Sequence, residues 1–167
     1  MKSARASVAF LALTACSDTA PPEAKQAGPA FDPIAFFTGT SHGDARLDQL
    51  FKPARTVTVD SVGTLQANGS ISLAQHIVTP GDKPRDRVWN LRMVAPGRYT
   101  GSLTDANGPV ETIAIGRAIR IRYPMKSGLQ VEQWLVALPG GRALDNRLNV
   151  TKWGMNVASL HERIEKR

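Results

Sequence analysis

The sequence predicts an all-β fold, a single antiparallel up-and-down barrel of about eight to nine strands. Three observations carry this. Apolar residues recur with period two, as in Val57 and Val59, Ile71, Leu73 and Ile77, Trp89, Leu91 and Met93, Tyr99 and Leu103, and Ile113 to Tyr123. Turn signals fall between these runs at hairpin spacing: Ala67-Asn68-Gly69, Pro80-Gly81-Asp82, Ala95-Pro96-Gly97, Asp105 to Gly108, Ser127-Gly128 and Pro139-Gly140-Gly141. No stretch has the spacing of a strand, a crossover helix and a parallel strand. Successive short connections make a meander, and a meander removes its sheet edges by closing. A two-sheet sandwich is the alternative this pattern leaves open.

Taken in order, residues 1–15 read as a signal segment, with Lys2 and Arg5 ahead of the apolar run Ala6 to Leu13. That run is too short to span a bilayer, which takes about 20 apolar residues, and no later stretch approaches that length. Residues 16–30 are rich in Pro, Ala and small polar residues, have no large apolar side chain, and read as a disordered tether. Residues 31–167 form the β-barrel domain, large enough to bury about two-thirds of its unfolded surface. Phe31 to Phe37 is expected to cover one barrel mouth as a short helix or loop. The tail after Trp153 supports two readings. Val157, Leu160 and Ile164 have the spacing of a short C-terminal helix, whereas Leu160, Glu162 and Ile164 alternate as in a strand.

The end of the apolar run carries the one cysteine, in Leu13-Thr14-Ala15-Cys16, which resembles the lipobox of bacterial lipoproteins. The resemblance implies cleavage before Cys16, a lipid on its thiol such as a palmitate-containing glyceride, and membrane attachment through that lipid. Ser17 stands where that family's inner-membrane retention signal has Asp, which points to the outer membrane, facing the periplasm. With Cys16 lipidated no thiol remains for a disulfide. Loss of Lys2 and Arg5, with no acid in the segment, takes the formal charge from +7 to +5. That excess suits anionic partners such as lipid headgroups. A nucleic-acid partner is not expected, since no basic run is interleaved with aromatics.

Leu73 to Ile77, Gly81, Arg87-Val88-Trp89, the Asp105 to Gly108 turn, Gly116, Trp134, Asn146-Arg147 and Lys152-Trp153-Gly154 together resemble the DUF3833 family of bacterial lipoproteins. The resemblance implies a lipocalin-like barrel and no established activity. The chain departs from it at two places: Gln75 stands where the family tends to have an acid, and Glu132-Gln133 where it tends to have paired acids.

Strand phase turns these positions into a candidate site. Gln75 shares the inward phase of Leu73 and Ile77, Arg87 that of Trp89 and Leu91, and a hairpin centred near Asp82 sets Gln75 close to Trp89 and diagonal to Arg87. An amide beside a guanidinium in an apolar interior is either a satisfied structural pair or the polar end of a ligand cavity. Arg117 is in phase with Ile113, Ile115, Ile119 and Ile121 unless a bulge at Gly116 turns it outward. The candidate ligand-binding set is Gln75, Arg87, Trp89, Tyr99, Arg117, Trp134 and Asn146. His42, His76 and His161 have no metal-ligand spacing, so no metal or other cofactor is expected. No nucleophile elbow or acid–base pair is identifiable, which ranks an enzyme last. The leading function is a lipid-anchored barrel holding a small amphiphile; the alternative is a packed barrel whose outer face engages an envelope partner. If the lipobox is read correctly, Cys16→Ser abolishes metabolic labelling with a palmitate analogue and releases the chain from the membrane. Equal membrane retention of both forms would refute the lipoprotein reading.

Overall fold

The computed structural model describes residues 30–167, so Cys16 and both N-terminal segments lie outside the described residues. It begins with one short helix, α1 (Pro33–Phe37), followed by ten strands. These are β1 (Gly39–Gln49), β2 (Lys52–Leu65), β3 (Ile71–Val78), β4 (Arg85–Ala95) and β5 (Arg98–Leu103), then β6 (Val110–Ile115), β7 (Ala118–Pro124), β8 (Gln130–Ala137), β9 (Ala143–Lys152) and β10 (Met155–Lys166). Each strand pairs antiparallel with the next, and β1 pairs with β10 from Ser41↔Lys166 to Gln49↔Ala158, which closes a lipocalin-like barrel. Closure leaves no unpaired edge, the constraint from which a barrel was expected.

One expectation needs correction: the barrel has ten strands rather than eight or nine. Of the two readings of the tail after Trp153, the strand is the one found, as β10. The reason is closure itself: β1 offers a full row of backbone groups, and an alternating Leu160, Glu162, Ile164 segment satisfies them while sending those three side chains inward.

The two ends of the barrel differ. The β2–β3, β4–β5, β6–β7 and β8–β9 connections share one end with α1, and the remaining five hairpin connections form the other. Asp32 starts α1 by accepting from the backbone N–H of Ile34 at 2.9 Å and of Ala35 at 3.2 Å, with Pro33 supplying a preset φ. Thr38 ends it, its hydroxyl donating to the Ile34 carbonyl at 2.7 Å. The helix plugs its end. Phe31 and Phe36 stack 5.7 Å apart and pack with Leu73, Leu103, Val110, Ile119, Leu135, Leu144 and Ile164. The Phe31 N–H donates to the Gly116 carbonyl at 3.2 Å, and the Lys166 ammonium to the Ala35 carbonyl at 3.0 Å.

Gly63 on β2 lets the plug seat, since a Cβ there would lie 1.8 Å from the Phe37 carbonyl oxygen. Gly63→Ala must therefore push α1 off its seat. Overpacking of this kind costs about 1–3 kcal/mol, to be read from the denaturant midpoint; an unchanged midpoint would show that the plug is not tightly held.

Candidate functional site

The interior polar groups start from the β3–β4 hairpin. Thr79-Pro80-Gly81-Asp82 forms its turn, the Asp82 N–H donating to the Thr79 carbonyl at 3.0 Å. Pro80 sits at the second position and Gly81, at φ +87°, at the third, as a type II turn requires. This centres the register on Gly81 instead of Asp82, so Gln75 lies directly opposite Arg87 and Leu73 opposite Trp89. Phase is unchanged and the partners swap places: Arg87 is the neighbour across the ladder and Trp89 the diagonal one. The Gln75 side chain reaches both. Its Oε1 accepts from Arg87 Nε and from Trp89 Nε1, each at 2.8 Å, and its Nε2 donates to Ser61 Oγ at 3.1 Å. The guanidinium also lies 5.6 Å from the Trp89 ring centroid, and Trp89 meets Tyr123 edge to face at 5.7 Å.

A second chain of polar groups faces it from β8, β9 and β10. Gln133 Nε2 donates to Asn146 Oδ1 at 3.0 Å, and Asn146 Nδ2 donates to Glu162 Oε2 at 2.6 Å. All three residues are buried. Gly43 on β1 makes room for the carboxyl group, because a Cβ there would fall 1.9 Å from Glu162 Oε1. Burial pushes the Glu162 carboxyl above the usual range, against the opposing pull of the Asn146 hydrogen bond and the Arg87 charge. Burial likewise lowers the Arg87 pKa, and it raises that of the Tyr123 phenol. Gln133 Oε1 and Thr112 Oγ1 are buried without a hydrogen-bond partner.

These groups divide the interior. Above them, at the end away from α1, is an open-mouthed cavity of about 500 Å³ walled by Val57, Val59, Ile77, Tyr123, Leu148 and Leu160, with Arg87, Gln133, Asn146 and Glu162 as its floor. Below them the same four residues roof a pocket of about 50 Å³ under Phe37, room for a few waters. Small-molecule sites are typically concave, mostly apolar and fitted with a few converging polar groups.

Of the predicted set, Gln75, Arg87, Trp89 and Asn146 come together here. Tyr99 is buried and faces inward beside Thr112, but lies near Asp32 at the plugged end; its pKa is raised first by burial and then by the Asp32 charge. Arg117 is not in the interior. Gly116 and Arg117 form the β6–β7 turn, which reverses the phase, so Ile119 and Ile121 point in while Ile113 and Ile115 point out. The Arg117 guanidinium donates to the Ala137 carbonyl at 2.6 Å. Trp134 is also outside, since Val131, Gln133 and Leu135 take the inward positions of β8. It packs with Ile115, Ala118 and Val136 under Arg120, and its Nε1 donates to Glu132 Oε1 at 3.1 Å.

His42, His76 and His161 sit on the outer face against Asp60, Asp86 and Asp145 respectively. No group of three metal-ligating side chains exists among the described residues. Glu162 and Gln133 complete the site beyond the predicted set. The signal for Glu162 was its place between Leu160 and Ile164, visible only once the tail is read as a strand.

Glu162 makes the site sensitive to pH. A carboxyl whose native pKa lies above its ordinary 4.5 binds more protons folded than unfolded. The stability associated with the neutral acid is therefore complete below 4.5 and lost as pH rises through the native pKa. Glu162→Gln keeps an oxygen for Asn146 and removes the titration. Its stability relative to wild type is expected to increase as pH rises across that window, followed by thermal denaturation; a constant difference would mean that Glu162 titrates normally.

The DUF3833 family profile, described as a protein of unknown function, matches residues 10–166. No curated protein matches the chain. Among solved structures, the S-type phycobiliprotein lyase CpeS from Guillardia theta is similar with a TM-score of 0.65 at 9% identity, over 80% of this chain and 90% of that one. A protein of unknown function of the DUF3598 family from Nostoc punctiforme gives a TM-score of 0.60 at 14% identity, over 88% of this chain and 52% of that one. At such identities the likeness concerns the fold alone. The family match spans nearly the whole chain and its positions converge on one barrel: the protein belongs to the DUF3833 family.

Proposed function

We propose that the barrel binds a small amphiphile with an anionic head, its tail in the open cavity and its head on the floor at Arg87. The observation that carries this is the electrostatics of Arg87. Its Nε is committed to Gln75, and no carboxylate lies within ion-pairing distance of it among the described residues. A cation lining an apolar cavity without a counter-ion is costly, and an incoming carboxylate or phosphate relieves that cost with charge-assisted hydrogen bonds. Burial raises the Glu162 pKa, and in its protonated form this carboxyl donates a hydrogen bond to such a head instead of repelling it. The cavity of about 500 Å³ lies within the usual range for small-molecule sites of roughly 300–1,000 Å³. A barrel packed solid by its own side chains would leave no such space. In this reading the lipid on Cys16 holds the barrel at the outer membrane, facing the periplasm.

Mass spectrometry of the full-length protein extracted from membranes tests this, together with titration of a fluorescent fatty-acid analogue. A co-purifying anionic amphiphile is expected. Arg87→Met should weaken the analogue about tenfold to a hundredfold, since a hydrogen bond to a charged group contributes about 1.5–3 kcal/mol. Its effect on stability should be small, because Gln75 Oε1 keeps the Trp89 indole N–H. A variant that binds as tightly as wild type, or a wild type that binds nothing, would overturn the proposal.

A further inference from the structure

The hairpin tips around the mouth expose apolar side chains that cavity binding does not account for. At the β1–β2 tip Leu50 is 51% and Phe51 95% exposed; at the β9–β10 tip Trp153 is 86% and Met155 59% exposed. The two tips are neighbours, since β1 pairs with β10 and the Leu50 N–H donates to the Val157 carbonyl at 3.0 Å. Both aromatic residues sit in left-handed backbone, Phe51 at φ +61° and Trp153 at φ +51°. Trp153-Gly154 is a two-residue connection with positive φ at both positions, the type I′ geometry that favours Asn-Gly. Bulky residues there are strained, and such strain clusters at functional sites. The other two tryptophans are buried.

The lysines around these tips, Lys52, Lys126 and Lys152, lack acidic partners within ion-pairing distance among the described residues. The Lys152 ammonium lies 4.7 Å from the Trp153 ring centroid. The nearby acids Asp82 and Asp105 are held by Arg55 and Arg85. Exposed Trp and Phe between lysines match the interface of an anionic bilayer, where the rings enter the headgroup region and the ammonium groups meet lipid phosphates. Two copies brought tip to tip would instead oppose lysine to lysine.

We infer that the β1–β2 and β9–β10 tips dock on the surface of an anionic lipid bilayer, so that the cavity mouth opens onto lipid. The inference goes beyond ligand binding and does not depend on it. Trp153 is its own reporter. The full chain is mixed with vesicles of phosphatidylcholine and phosphatidylglycerol whose acyl chains are brominated. Trp153 emission is expected to shift to the blue and to be quenched, with severalfold less quenching on phosphatidylcholine alone. Trp153→Phe should remove the quenched component while Trp89 and Trp134 still emit. Lys52→Glu with Lys152→Glu should reduce quenching severalfold. A chain held on the vesicle with Trp153 emitting as in water would overturn the inference, because attachment would then come from elsewhere. Equal quenching on both lipids would overturn the anionic assignment. A blue shift that grows with protein concentration without vesicles would assign the tips to self-association instead.

Discussion

The interior of this barrel is organised by one amide. Gln75 Oε1 accepts from a guanidinium and an indole, and its Nε2 donates to a serine, so one side chain joins β2, β3 and β4 across the inward face. Without it three polar groups in an apolar interior would each lack a partner, at about 1–3 kcal/mol apiece. Because it spends its oxygen on Arg87 Nε, it fixes the position of the guanidinium without neutralising it. A carboxylate at the same place would do both. An amide at this position, rather than an acid, is thus what leaves a positive charge on the cavity floor.

The opposite wall works in the reverse sense. Gln133, Asn146 and Glu162 form a chain of amides ending on an acid whose ionisation burial opposes. Glu162 fits only because Gly43 has no side chain, so its position is set by sterics as much as by hydrogen bonding. The two walls leave a polar cross-section, between an apolar plug on one side and an apolar cavity on the other.

Much of this was legible in the sequence, for a physical reason: side-chain direction in a strand has period two, so phase survives errors in register. Gln75 and Arg87 kept their inward phase although the hairpin centre moved from Asp82 to Gly81. What does not carry over is phase across a turn, as at Gly116-Arg117, where Ile115 before the turn points out and Ile119 after it points in. Trp134 is a different case. A tryptophan reads as interior by hydrophobicity, yet this one is buried on the outside by Ile115, Val136 and the overlying Arg120. Glu162 was hidden because helix and strand spacings both fit the tail, and only the demand of β1 for a partner decides between them.

Closure and plugging together have a geometric result. The described chain enters at Ala30 beside the β8–β9 connection, and Arg167 ends against Thr40, so both ends leave from the plugged rim. Among the described residues the opposite rim consists of hairpins. The described barrel is a flask stoppered at its base by α1, so a molecule reaching the cavity from outside enters past the hairpin tips that form its neck.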